Sequence, residues 1–434
     1  MALSESMLQE ETRRSAGGDS VLRGRRAAVL LFSHYPYDPR PRRAAEALVG
    51  EGMHVEILCL KGSADERAHE TFNGVRIWRL PLKRRRGGRF AYLFQYAVFI
   101  VSSFFFLAWR SLRGRFSLVH VHNMPDALVF SALVPKALGA KVILDLHDPM
   151  PELMMSIFGL APSSLAVRLL ERLERWSTAF ADVVLTVNLA CRRIFASRSC
   201  PPDKIHVIMN SPDERIFAFR SPAMPPPDGR RPFVIMYHGS IVERNGLDIA
   251  VAALPAVRRL VPQAELHVYG ESTPFLERVM DDVRRNGLQE AVRWFGGKSL
   301  EDIQKAIDGC DVGIIPNRRT IFTEINTPTR IFEYLSRGKP VITGRARGVQ
   351  DYFADDALFF FELGDAEDLG RRIVHVFDHP EDVEQVVKLG QDVYLAHRWS
   401  EERRDLVDRV TCLLGARACR ALRSPERRTG KGGR

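Results

Sequence analysis

The chain alternates short apolar runs with longer amphipathic stretches, and it does so twice. In the first half the runs are Ala27–Ser33, His54–Leu60, Val75–Leu80, Ser117–His122, Lys141–His147 and Asp182–Val187. In the second half they are Phe233–Gly239, Ala264–Gly270, Ala291–Gly297 and Asp311–Pro316. Each run is strand-length and bounded by turn residues, and the stretches between carry helical spacing. Such alternation points to βαβ units, whose parallel sheets must be covered on both faces by helices. The expected fold class is α/β, with two doubly wound, Rossmann-like domains facing a central cleft.

The alternation fails between Ser211 and Pro232, where Arg220–Pro232 reads RSPAMPPPDGRRP, a composition suited to a linker. The expected organisation is therefore a tail at 1–25, a first domain at 26–215, a linker at 216–232, a second domain at 233–400, and a terminal helix with a basic tail at 401–434. A length of 434 residues with 45% hydrophobic content suffices for two cores. Both ends read as disordered. The six cysteines show no Cys-x-x-Cys spacing, which argues against a disulfide framework or structural zinc and fits a reducing cytosol. No leader-type apolar stretch opens the chain, so a cytoplasmic location is expected.

Phe90–Trp109 carries no charge and is about long enough to span a bilayer. Lys83–Arg89 precedes it and Arg110, Arg113 and Arg115 follow. It lies between two expected strands of one sheet, and a true span would put them on opposite sides of the membrane. Basic residues on both flanks give no orientation. The expectation is a helix of the first domain whose exposed face dips into the cytoplasmic leaflet, a peripheral association with the membrane surface. A fully buried core helix is the alternative. The net charge of +10 is not read as nucleic-acid binding, because no such motif accompanies the basic run.

Ligands of open α/β sheets bind at the carboxyl ends of the strands, so residues just after strands carry the functional expectations. Gly239 ends a run and lets backbone approach a ligand. The loop after it holds Arg244 and enters a helix, an arrangement suited to an anion. Arg330 or Lys298 is the candidate second cation. His147 and Asp148 end the run Lys141–His147, where a histidine can hydrogen-bond a sugar hydroxyl. His122 and Asn123 end the preceding run and are expected to face the same cleft. His120, His122 and Asp126 form a weak metal pattern, and no metal is expected. Asp38 and Arg40, in the loop after the first run, are candidates for acceptor or phosphate contact, or for a rigid turn.

The segment Thr327–Thr343 (TPTRIFEYLSRGKPVIT) is the most specific in the chain. Pro328 can open a helix and Gly338 and Pro340 close it; Val341–Thr343 reads as a strand. Glu333 sits among core-type residues and needs a partner, either Arg330 or the hydroxyls of a ligand. This segment resembles the donor-binding segment of retaining glycosyltransferases of the GT-B architecture, the large glycosyltransferase family four. The resemblance implies that Glu333 holds the donor ribose. It also implies that His147, in LDLHD, meets the donor hexose and that cations after Gly239 hold the diphosphate. The family places another glutamate where this chain has Ile325, with Glu324 one residue earlier. It places an arginine where this chain has Ser240, with Arg244 near the family's lysine. No catalytic base is assigned; His147 and Glu324 are the candidates. The implied reaction moves a sugar from a nucleoside-diphosphate donor to a glycan or lipid-linked acceptor, with retention, no metal and no cofactor beyond the co-substrate. An epimerase of the same architecture and a non-catalytic membrane-associated scaffold are the alternatives.

Overall fold

The structure is a computed structural model, and it describes residues 20–63, 65–82, 89–222 and 231–415. The tails at 1–19 and 416–434, and residues 223–230 of the expected linker, lie outside the described residues. Residues 20–25, expected as tail, are built into the fold: Leu22 is fully buried and Arg25 Nη1 donates to the Leu414 carbonyl (3.1 Å). By internal contacts the chain groups into two compact units. Among the described residues, one is 20–145 with Ser177–Val184 and 403–415; the other is Leu146–Trp176 with Leu185–Glu402.

The first sheet takes strands β1 (Arg26–His34), β2 (His54–Leu60), β3 (His69–Phe72), β4 (Val75–Leu80), β5 (Leu118–His122), β6 (Lys141–Leu146), β7 (Val183–Thr186) and β8 (Ile205–Val207). Their order is β3-β4-β2-β1-β5-β6-β7-β8, with β3 antiparallel to β4 at the edge. The second sheet takes β9 (Phe233–His238), β10 (Ala264–Tyr269), β11 (Val292–Trp294), β12 (Val312–Ile315), β13 (Val341–Gly344) and β14 (Phe359–Phe361), in the order β11-β10-β9-β12-β13-β14. Every recorded pair of the second sheet is parallel, so all its carboxyl ends share one edge.

The long apolar stretch is one helix, Arg89–Leu112. It joins β4 to β5, and both strands belong to one sheet. Its rotation is set by Arg110, whose guanidinium reaches Glu56 on β2 at 2.7 Å. Glu56 is fully buried and also takes Arg26 (2.7 Å) and Arg76 (3.0 Å). Burial pushes its pKa up, but hydrogen bonds from Arg110 and Arg26 outweigh this and hold the carboxyl below its usual value. With Arg110 turned inward, Phe94, Val101, Phe105 and Leu112 are left exposed. Only 22% of the apolar window within Leu93–Leu112 is buried, which excludes a fully buried core helix.

Four cysteines, Cys59, Cys191, Cys200 and Cys310, are free and buried. Cys412 is disulfide-bonded.

Candidate functional site

The edge formed by the carboxyl ends of β9, β12 and β13 gathers the strongest sequence candidates. The helix Thr329–Ser336 starts after Pro328 and buries Ile331, Phe332, Tyr334 and Leu335. Each such side chain contributes about 1.5–3 kcal/mol by leaving water. Gly313 on β12 makes room for the Tyr334 ring, which an added Cβ would meet at 2.4 Å, and Tyr334 Oη donates to the Met236 carbonyl (2.9 Å). Packing against β9 and β12 thus aims Arg330 and Glu333 of this helix at the end of β9.

Arg330 Nη1 donates to the His238 carbonyl at 2.6 Å, and its guanidinium carbon lies 5.5 Å from the Tyr237 ring centre. It runs under Gly239, whose φ of +114° favours glycine and whose missing Cβ would meet Arg330 Cδ at 3.4 Å. Glu333 does not take Arg330 as its partner. It faces the His238 ring instead, with Nε2 3.4 Å from its carboxylate. His238 is 4% exposed. Burial first, then the charge of Arg330, holds its pKa well below the usual histidine value, so the ring is neutral. His238 closes β9 immediately before Gly239. A polar residue at the last strand position was the available sequence signal, and it was not singled out above.

Arg244 lies in the short turn Glu243–Asn245 between β9 and the helix Leu247–Leu260. It is half-buried; burial lowers its pKa while the charge of Asp148 works to raise it. Among the described residues no carboxylate lies within ion-pair distance of either Arg244 or Arg330. The charges of both reach the buried Tyr237 hydroxyl, which donates to the Ser240 carbonyl (3.0 Å). Arg330 thus runs beneath Gly239, while Arg244 stands in the turn that follows, 5.8 Å from the Phe322 ring centre and within the field of Asp148, just before a helix N-terminus.

The turn is rigid. Gly246 has φ +65°, and a Cβ there would stand 1.8 Å from the Pro316 carbonyl oxygen. The Arg318 amide donates to the Arg244 carbonyl (2.9 Å), tying the segment after β12 to the same turn. Gly246→Ala is expected to lower stability by about 1–3 kcal/mol through overpacking and an unfavourable φ, read as a drop in melting temperature.

Glu324 forms an ion pair with Arg319. Ile325, at the place of the resembled glutamate, has its carbonyl held by Asn188 Nδ2 (2.9 Å), which also reaches Thr327 Oγ1 (3.0 Å). Thr327 Oγ1 donates to the Gly348 carbonyl (2.6 Å), so this loop is pinned at three points. Lys298 lies exposed after the edge strand β11, and its charge acts on Asp302.

His147 and Asp148 follow β6 and are both half-buried. The other candidates of the first half sit as follows. Arg40 is 6% exposed, and its guanidinium grips both oxygens of Asp145, with Nη2 2.8 Å from Oδ1 and Nε 3.1 Å from Oδ2. His122 is fully buried, with Nδ1 3.4 Å from Asp145, and it stacks on His120 with ring centres 4.3 Å apart. Asn123 is 7% exposed and donates to Asp126 (3.0 Å). These groups contact one another beneath the strand ends, and the ring nitrogens His120 Nδ1 and His120 Nε2 are buried without a hydrogen-bond partner among the described residues. Asp38 stands at the start of the helix Pro39–Gly50 without a side-chain capping bond. His120, His122 and Asp145 bring their ligand atoms within 4.8 Å of one another. The Arg40 guanidinium already meets the one carboxylate, so a cation there would face a like charge in a buried setting.

Two family models match the chain: a glycosyl transferase 4-like domain over residues 38–211, and glycosyl transferases group 1 over residues 232–379. A probable glycosyltransferase, WbjE of Pseudomonas aeruginosa, is 22% identical over 260 residues, 58% of this chain and 63% of the relative. A GDP-mannose-dependent α-(1-6)-phosphatidylinositol monomannoside mannosyltransferase of Mycolicibacterium smegmatis is 29% identical over 188 residues, 40% and 47% of the two chains. The chain thus matches about half to two thirds of the length of these relatives. Among solved structures, the sucrose-phosphate synthase of Thermosynechococcus elongatus superposes with a TM-score of 0.72 at 17% identity, over 91% of this chain and 100% of that one. That likeness is one of fold.

Proposed function

The chain belongs to the glycosyltransferases of the GT-B architecture, group 1, and on that premise we propose that it moves a sugar from a nucleoside-diphosphate donor to a glycan or lipid-linked acceptor, with retention, in envelope or exopolysaccharide synthesis. The observation that carries this reading is the pair of arginines after β9, Arg330 beneath Gly239 and Arg244 in the turn that follows, neither with a carboxylate at ion-pair distance among the described residues. A diphosphate leaving group gains charge as the glycosidic bond breaks, and fixed cations stabilise that state more than the ground state. Arg330 is held by the His238 carbonyl and Arg244 by a turn that tolerates no side chain at Gly246, so neither needs reorganising when the charge appears. Glu333 accepts hydrogen bonds from the donor ribose, with the neutral His238 ring beside it. His147 orients the transferred sugar.

The helix Arg89–Leu112 supports a peripheral position on the inner face of the cell membrane. Its exposed Phe94, Val101, Phe105 and Leu112 recur at helical spacing on a charge-free face. The strands on either side of it share one sheet, which favours a helix lying on the bilayer over one crossing it.

A thermal-shift screen with UDP-, GDP-, ADP- and TDP-sugars tests the donor site. One nucleotide class is expected to raise the melting temperature by mass action. No shift with any of them would overturn the proposal.

A further inference from the structure

We propose that a second surface, the outer face of the helix Leu165–Phe180, is a cationic contact for an anionic bilayer; the inference rests on the peripheral membrane reading given above. The helix carries three arginines and two glutamates in its exposed-looking middle stretch, and the fold sorts them by sign. Glu174 is fully buried and takes Arg198 through Nη2 at 2.6 Å and Nε at 2.9 Å. Glu171 is drawn toward the same Arg198, at 3.9 Å. Arg168, Arg172 and Arg175 are all exposed, with Arg168 Nη2 donating to the Ser163 carbonyl (3.0 Å) and Arg175 Nε to the Arg198 carbonyl (3.2 Å). They share their side of the helix with three large apolar residues, Leu165 (79% exposed), Leu169 (53%) and Trp176 (56%).

At about 100° per residue these six positions fall within an arc of about 120°. Glu174 lies on the far side of the wheel and Glu171 at the margin. The face is thus net cationic and interleaved with leucine and tryptophan, with the Glu171 carboxylate, 39% exposed, at its margin.

A buried core would not tolerate three arginines on this arc, and a merely solvated face gains nothing from Leu165 and Trp176. Anionic headgroups meet both needs. Each arginine near such a surface contributes favourably, the apolar side chains reach the acyl boundary, and tryptophan prefers that interface. This surface differs in kind from the face of Arg89–Leu112, which is apolar without charge. Binding there depends on depth of insertion, whereas here it depends on lipid charge and on salt.

The test is sedimentation of the full chain with vesicles of phosphatidylcholine alone, or with added phosphatidylglycerol, at low and high salt. Wild type is expected to partition more strongly onto the anionic vesicles, and salt is expected to weaken this. The variant Arg168→Gln/Arg172→Gln is expected to lose about tenfold or more of that partition, with a shallower salt dependence and unchanged melting temperature. In Leu165→Ser/Trp176→Ser, partition falls on both vesicle types while the salt response remains. The proposal is overturned if Arg168→Gln/Arg172→Gln binds anionic vesicles as wild type does while Phe94→Asp/Phe105→Asp abolishes binding. In that case the membrane reading itself stands. If wild type binds neither vesicle, both readings fail. A change of oligomeric state in Arg168→Gln/Arg172→Gln would assign the face to a protein contact and also overturn the proposal.

Discussion

Replacing Arg244 by alanine is expected to lower kcat/KM for sugar transfer by about two to three orders of magnitude, the usual cost of removing one preorganised charge-stabilising donor. The expectation follows from what the side chain does not do in the protein. It has no carboxylate at ion-pair distance among the described residues, and its one ring contact is with Phe322, 5.8 Å away. Its removal should therefore leave the fold intact, and the melting temperature should stay near that of wild type. The loss should appear mainly in kcat, because the charge on the diphosphate grows only as the bond to the sugar breaks. Arg244→Lys should recover part of the rate but not all of it, since an ammonium keeps the charge and loses the forked geometry. Initial rates with saturating acceptor, set beside melting curves, make the check. A variant that melts as wild type and transfers at the wild-type rate would remove Arg244 from the site.

The second large effect concerns Glu333. Glu333→Ala is expected to weaken binding of the matching nucleoside diphosphate by about tenfold to a hundredfold, the worth of hydrogen bonds to a charged group. It should also abolish the preference for a ribonucleotide over its 2′-deoxy counterpart. The neutral state of His238 makes this prediction sharper. Burial and Arg330 keep the ring uncharged, so it does not compete as a cation for the carboxylate. Affinity for the intact nucleotide sugar, whose diphosphate lacks a terminal phosphate that titrates near pH 6, should accordingly remain level through the range near pH 6.5 where an ordinary histidine titrates. Calorimetric titration of wild type and Glu333→Ala with paired ribo- and deoxyribonucleoside diphosphates measures both effects. Equal discrimination in the two proteins would contradict the ribose role.

The local structure around those two residues was legible in the sequence because its signals are local. Pro328, the apolar stripe of Ile331, Tyr334 and Leu335, and the stop at Gly338 lie within one segment, and the structure places a helix at Thr329–Ser336 and β13 after it. Gly239 and Arg244 sit within six residues of each other. Arg40 and His122 were read as ligand contacts because both stand near strand ends. Their partner Asp145 is 105 residues from Arg40, and spacing alone cannot show that a buried carboxylate will claim a strand-end cation. The same limit applies to His238, whose relation to Glu333 exists only once the helix packs on β9. The edge strands β3 and β14 were missed too. The first is short and antiparallel, and the second, three phenylalanines, precedes a segment read as helical. The acidic residues of Leu165–Phe180 look like an ordinary solvated mixture in sequence. Only Arg198, brought in from the following helix, shows that Glu174 is buried and paired.

The central claim is that this donor site drives transfer of a sugar, and product analysis with a labelled donor tests it most directly. The purified chain is incubated with the nucleotide sugar selected by thermal shift, labelled in the sugar, together with a membrane lipid extract. The expected result is label in the acceptor fraction and one nucleoside diphosphate released per sugar moved, with both lost in Arg244→Ala. Label that stays on the nucleotide as an epimer, or a donor that binds and is never consumed, would contradict the account.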